Sequence, residues 1–296
     1  FNYQVSQSYM ASKLSVWKKT HDYYFNDDKV YMRSLDLMIT TKCSLKCSNC
    51  SNLMQYYVDP TNTDYEKIIS SLKIIHENVD SISEYRVIGG EPLMNKNWAN
   101  IVNKISEYDA EAKIFIYTNA TIAPKDDQLE SFKGKNINFI ITDYGELSRN
   151  IKKMVENLEK YNISFKREPA NDWVDCSNIR HHKRPADQLK EVFKQCCVKY
   201  LYTLLNQKLY RCPFIANAAN LNAIPDNPAN YVDLSSDSSD IGKRIKRLVD
   251  NRKFFPACDF CDGRPYDPSS KVGYDGKGMI TPAKQTPKPL DYKVYE

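Results

Sequence analysis

Five short apolar runs separated by amphipathic stretches constrain this chain more than any other feature. The runs lie at 35–40, 84–88, 113–118, 137–142 and 163–167. Between the first two, Ile68, Ile69, Leu72, Ile74 and Ile75 fall largely on one helical face behind a capping pair, Thr63-Asp64. Trp98 to Tyr108 carries Ile101, Val102 and Ile105, Asp126 to Phe132 is helical, and Leu147 to Tyr161 sets Ile151, Met154, Val155 and Leu158 along one side. Strands alternating with helices of this length predict an α/β fold, a parallel sheet with right-handed crossovers. Periodicity does not choose between an open sheet and a closed barrel. In either, ligands meet the C-terminal strand ends, and Cys43, Glu91, Asn119 and Asp143 each follow a predicted strand, so one rim collects them.

The first strand leads into Lys42-Cys43-Ser44-Leu45-Lys46-Cys47-Ser48-Asn49-Cys50, three thiols separated by three and then two residues. An iron-sulfur cube has four corners, usually held by thiolates, so three of them leave one corner for a substrate or cofactor. Structural zinc asks for a closed set of four Cys or His, and on spacing alone it stands as the alternative. The remaining thiols are Cys176, Cys196, Cys197, Cys212, Cys258 and Cys261. Lys208 to Pro213 reads as the return strand of a hairpin, after Tyr202 to Leu205 and the turn Asn206-Gln207. One of Cys196 or Cys197, with Cys212, Cys258 and Cys261, gives four thiolates from three segments, enough to close a cube or to bind zinc. Neighbours on an extended backbone point oppositely, so only one of the adjacent pair joins, and Cys197 is the favoured one. Cys176 stands apart, a small buried hydrophobe or a hydrogen-atom donor to a substrate radical. His181 and His182, beside Lys183-Arg184, are expected to face solvent.

Cys43, Cys47 and Cys50 resemble the three-cysteine motif of the radical S-adenosylmethionine (SAM) enzymes. Val87-Ile88-Gly89-Gly90-Glu91-Pro92 resembles that family's GGEP motif, which holds the methionine part of SAM. Asn49 departs from the aromatic residue that many members place before the last Cys. The resemblance implies a partial (β/α)6 TIM-type barrel with a small C-terminal twitch module, a β-hairpin plus helix. Its expected divisions are an N-terminal extension at 1–33, the barrel at 34–185, the auxiliary-cluster module at 186–264 and a tail at 265–296. It also implies two [4Fe-4S] clusters and SAM as cofactors. Cys43, Cys47 and Cys50 would hold the SAM-binding cluster, and Cys197 (or Cys196), Cys212, Cys258 and Cys261 an auxiliary one, since their order resembles the twitch domain, a shortened SPASM module. Gly89 and Gly90 would let main chain approach SAM, Glu91 would accept from its ammonium, and Pro92 would fix the turn. Asn119 resembles the family's Thr-Asn-Gly position, with Ala120 where Gly is common, and Thr142 and Asp143 fall where members contact the SAM ribose.

The chemistry so implied is reductive cleavage of SAM and hydrogen-atom abstraction from a small polar substrate. The nearest resemblance is to twitch enzymes of the 2-deoxy-scyllo-inosamine dehydrogenase type, which oxidise an alcohol with the auxiliary cluster as electron acceptor. Peptide or protein modification, and epimerisation or elimination on a carbohydrate or nucleotide, are the alternatives. A non-catalytic iron-sulfur protein would show no SAM affinity. The expected partners are a small-molecule substrate and an external one-electron donor such as flavodoxin or ferredoxin.

Composition narrows the rest. With 42 Lys+Arg against 37 Asp+Glu, a net charge of +5 is too mild to suggest a nucleic-acid protein. No stretch approaches the roughly 20 apolar residues of a membrane span, and Phe1-Asn2-Tyr3-Gln4 shows no signal-peptide pattern. Short-spaced thiols suit a reducing compartment, so a cytoplasmic location is expected. From Arg264 onward apolar residues are sparse, which predicts a disordered or contact-ordered tail and a candidate cover for the substrate opening.

Overall fold

The computed structural model describes residues 26, 28–171, 173–235 and 238–295. The helix expected at Tyr9 to Trp17 lies outside them. The first strand of the main sheet, Ser34–Met38 (β1), is buried at all five positions. Leu35 and Leu37 join the core, whereas Asp36, one residue out of phase, lines a cavity on the opposite side. Burial on both faces is what a parallel sheet covered by crossover helices requires.

The first helix, Tyr65–Asn78 (α1), starts at Asp64, whose carboxylate accepts the Lys67 N–H at 3.1 Å. Asp64→Ala is expected to cost about 1 kcal/mol of stability, measured as a lower urea midpoint at unchanged slope. The alternation continues through Tyr85–Ile88 (β2), Trp98–Tyr108 (α2), Ile114–Thr118 (β3), Asp126–Glu130 (α3), Ile137–Asp143 (β4), Ile151–Lys160 (α4) and Ser164–Pro169 (β5). Strands β1 to β5 pair in parallel, in chain order. Ile68, Leu72 and Ile75 of α1 and Trp98, Ile101, Val102 and Ile105 of α2 pack into one core with the strands. The edge strand β5 carries Lys166, Arg167 and Glu168, charges that blunt an open edge.

Beyond β5 come Ala186–Gln195 (α5), Leu201–Leu205 (β6), Lys208–Tyr210 (β7), Pro213–Asn220 (α6), Tyr231–Asp233 (β8) and Ile241–Asp250 (α7). Strand β6 pairs in parallel with β1, setting Asp36 opposite Thr203, and the full order is β8-β7-β6-β1-β2-β3-β4-β5. A hairpin therefore supplies the sixth parallel strand of the partial barrel, joining beside β1 rather than after β5. Asn206 and Gln207 both have positive φ, 47° and 59°, the two-residue turn whose twist matches that of the strands it joins.

The tail is ordered by contact. Met279–Ile280 pairs with Trp173–Val174, and residues 283–286 lie against the cysteine loop. There Ser48 donates its N–H to the Lys284 carbonyl (2.7 Å) and Thr286 donates to that of Lys46 (2.6 Å). Farther along, Leu290 donates to the Gln55 carbonyl and Tyr295 to that of Asn222. Among the described residues no helix is long and apolar enough to cross a membrane.

Candidate active site

The loops after β1 and β2 are joined backbone to backbone. Gly90 donates its N–H to the Thr40 carbonyl (3.0 Å) and Glu91 to that of Lys42 (2.8 Å). A Cβ on Gly89 would lie 2.5 Å from the Thr40 oxygen, and one on Gly90 would overlap the Lys42 carbonyl and stand 2.7 Å from the Cys43 Cβ. These glycines are thus required by the closeness of the two loops, in addition to facing the cavity. That cavity, of about 300 Å3, is lined by Cys43, Cys47, Cys50, Gly89, Gly90 and Asn119 among others.

Glu91 takes a different position from the one expected. It is fully buried and absent from the cavity wall, and so is Pro92. Its carboxylate accepts from Thr118 Oγ1 (2.9 Å), Asn119 N (2.8 Å) and Leu93 N (3.2 Å). The Glu91 side chain therefore ties the β2 loop to the end of β3. Burial pushes this carboxyl up to about 7, against the pull of those donors.

Asn119 does face the cavity. Its Oδ1 accepts from Thr121 N (3.0 Å) and Thr121 Oγ1 (2.7 Å), and its Nδ2 donates to Ser44 Oγ (3.2 Å) and lies 3.8 Å from Cys43 Sγ. Ala120 has φ 55°, a left-handed backbone conformation that favours glycine. Thr142 lines the cavity as expected, but Asp143 does not. Strand alternation sends Thr142 and Tyr144 to one side and Asp143 to the other. Asp143 pairs with Arg167 at 2.6 Å, and that guanidinium holds the carboxyl below its ordinary range.

The second thiol set also departs from expectation in one member. Cys196, Cys212, Cys258 and Cys261 line one enclosed cavity, and Cys197 does not. Cys197 is exposed and on the other side of the extended chain that follows α5. Cys212 sits just before α6, Cys258 lies in a turn at Pro256–Phe260, and Cys261 directly follows that turn. Of the two histidines expected to face solvent, His181 is exposed and His182 is not, and both pack on that turn together with Arg184. His182 is buried between Asp262 (3.1 Å) and Asp275 (3.2 Å), His181 stacks on Phe260, and Arg184 Nη1 donates to the carbonyls of Cys258 (3.3 Å) and Cys261 (3.0 Å).

Thiols are the usual ligands of iron-sulfur clusters, and three line the first cavity and four the second, although among the described residues no three His, Cys, Asp or Glu side chains are placed to hold a single metal ion. Burial pushes Cys47 up to about 11 and Cys258 and Cys261 up to about 12, so these thiols keep their protons until a metal displaces them. Donors are already aimed at the sulfurs: Gln285 Nε2 at Cys47 (3.3 Å), Phe255 N at Cys258 (3.4 Å) and Gly263 N at Cys261 (3.4 Å).

Several wall residues had no legible motif. Tyr144 and Trp173 meet edge to face at 6.1 Å over the cysteine loop. Asp36, Arg86 and Tyr117 form part of the first cavity. Buried Arg264 borders both cavities and donates to the Ser51 carbonyl. Cys176 itself is buried and lines neither cavity.

Residues 37–164 match the Radical SAM superfamily. A GTP 3',8-cyclase from Hydrogenovibrio crunogenus is 29% identical over 97 residues, 32% of this chain and 28% of that protein. An S-adenosylmethionine-dependent nucleotide dehydratase from Selenomonas ruminantium is 34% identical over 88 residues, 30% of each chain. The chain thus spans less than a third of the length of these curated relatives. Among solved structures, BtrN in complex with AdoMet and 2-DOIA is similar with a TM-score of 0.50 and 17% identity, covering 90% of this chain and 99% of BtrN.

Proposed function

We propose that this chain, which belongs to the radical SAM superfamily, is an oxidoreductase that removes a hydrogen atom from a small polar substrate and oxidises its alcohol. SAM and a [4Fe-4S] cluster are its cofactors, with Cys43, Cys47 and Cys50 as the cluster's ligands. Cys196, Cys212, Cys258 and Cys261 hold an auxiliary cluster in this reading. When bound, the cluster on Cys43, Cys47 and Cys50 would supply an external donor's electron for SAM cleavage, and a cluster on Cys196, Cys212, Cys258 and Cys261 would supply an acceptor for the electron released when the alcohol is oxidised.

The chain's own residues bind, orient and exclude water. Gly89 and Gly90 set main chain at the cavity wall. Asn119 fixes the position of Ser44 beside Cys43, and Thr142 and Tyr144 furnish polar and aromatic parts of the wall. The Gln285 amide donates to Cys47 Sγ, and the tail that carries it shields the loop from solvent.

The observation that carries an oxidation is the placement of Arg264 and Val198, which border both thiol-lined cavities. An electron acceptor there would stand one side chain from the substrate space. The resemblance to BtrN supports the fold, and its bound 2-DOIA motivates the choice of a cyclitol-like substrate. The names of the curated relatives point instead to nucleotides, but those matches cover only part of each protein.

Anaerobic reconstitution with iron and sulfide tests the reading. About eight irons per chain are expected, four for each cube, together with 5'-deoxyadenosine on reduction in the presence of SAM. About four irons would remove the auxiliary site and with it the reason to favour a dehydrogenase. Absence of 5'-deoxyadenosine would remove the radical chemistry.

A further inference from the structure

Below the thiols the first cavity reaches into the interior of the sheet. Asp36 on β1 and Arg86 on β2 are register partners there, with Arg86 Nε 3.3 Å from Asp36 Oδ1 and the guanidinium carbon 4.7 Å from the centre of the Tyr117 ring. Asp36 and Arg86 lie two residues before the ends of their strands, and Tyr117 lies two before Asn119. At about 3.3 Å per residue, that places the group roughly 7 Å beneath the rim.

As a purely structural element this pair is poor. The Asp36 side chain is fully buried, yet neither of its oxygens makes a hydrogen bond, and neither does Arg86 Nε. Ser34 Oγ, on the same face of β1, is also without a partner among the described residues. A buried ion pair with unsatisfied atoms loses more to desolvation than its attraction returns. The Arg86 side chain is 19% exposed, and both residues line the cavity. Arg86 makes no hydrogen bond to any described residue, so its Nη atoms are unclaimed by protein. Burial pushes the Asp36 carboxyl up to about 6, which leaves it mostly ionised at neutral pH beneath the guanidinium.

Resting on the reading of this cavity as the place of a small polar substrate, we propose that Arg86 is the substrate's anchor. Asp36 and Tyr117 position it, and it grips two neighbouring hydroxyl oxygens of a cyclitol or sugar ring rather than a phosphate. The fork of a guanidinium fits two adjacent acceptors. Its charge is already offset by Asp36, so a phosphate would meet a compensated cation and the fixed carboxylate behind it. Neutral hydroxyl oxygens carry no charge for that carboxylate to repel, and they accept from the guanidinium. Anchoring from below directs the opposite edge of the ring toward the Cys43 side of the cavity.

Calorimetry on the reconstituted, SAM-loaded full chain tests this without turnover, using 2-deoxy-scyllo-inosamine, scyllo-inositol and inorganic phosphate as probes. The wild type is expected to bind a cyclitol and not phosphate. Arg86→Gln should weaken cyclitol binding about 10- to 100-fold, with Arg86→Lys falling between. The double variant Asp36→Asn/Arg86→Gln, which leaves no buried lone charge, should match Arg86→Gln and guards against simple misfolding. Asp36→Asn alone should admit phosphate, a gain that loss of a merely structural contact would not produce. The anchor is overturned if Arg86→Gln binds the cyclitol as the wild type does, if no cyclitol binds, if phosphate competes in the wild type, or if Asp36→Asn still rejects phosphate. Failure of the radical chemistry would appear separately, as missing 5'-deoxyadenosine from the wild type.

Discussion

Gly90→Ala is expected to lower the rate of 5'-deoxyadenosine formation on the order of 10²-fold, while circular dichroism shows a folded chain. The added methyl would overlap the Lys42 carbonyl and press on Cys43 Cβ, 2.7 Å away. These atoms are main chain and a ligand's own stem, so they yield only if the cysteine loop shifts. A displacement of about 1 Å in a positioned reacting group costs that much rate, whereas the overpacking costs only about 1–3 kcal/mol of stability. The comparison variant is Lys152→Ala, on the exposed face of α4, and it should stay within a few-fold of the wild type. A Gly90→Ala rate equal to the wild type's would mean that the junction of the two loops does not set the geometry of the site.

The second large effect separates two adjacent cysteines. After reconstitution, Cys196→Ala should retain about four irons and Cys197→Ala about eight, and only the former should lose the signal of a second reduced cluster in electron paramagnetic resonance. Cys196 shares its enclosed cavity with Cys212, Cys258 and Cys261, while Cys197 is turned out to solvent. Reversed iron contents would show that the chain after α5 rotates when the cluster is built, and that the thiol cavity is not a preformed site.

The sequence carried the order of the elements and the rim they share. Ile101, Val102 and Ile105 mark α2 because their spacing is helical, and the helix spans the predicted Trp98–Tyr108. What spacing does not carry is the direction in which a polar side chain turns at the end of an element. Glu91 sits in a motif that suggests ligand contact, yet three donors on the neighbouring β3 end claim its carboxylate. Asp143 is one residue out of phase with Thr142, and alternation along β4 already pointed to Tyr144 instead. The choice between Cys196 and Cys197 depended on where α5 stops, and helix ends are the least determined feature of a pattern. Arg86 and Asp36 were hidden for another reason. They become neighbours only through the pairing of β1 with β2, a contact across about 50 residues that no local window contains.

The strap at 283–286 orders events in the life of the chain. Gln285 reaches Cys47 across 238 positions, so a nascent chain has all three sulfurs of the first loop long before the segment that covers them has been made. Until that segment arrives, the loop stands open to whatever delivers iron. Once it arrives, strand-like pairing of Gln285 with Cys47 closes one side. Loading during synthesis and repair of a finished molecule therefore face different barriers, the second including detachment of the strap.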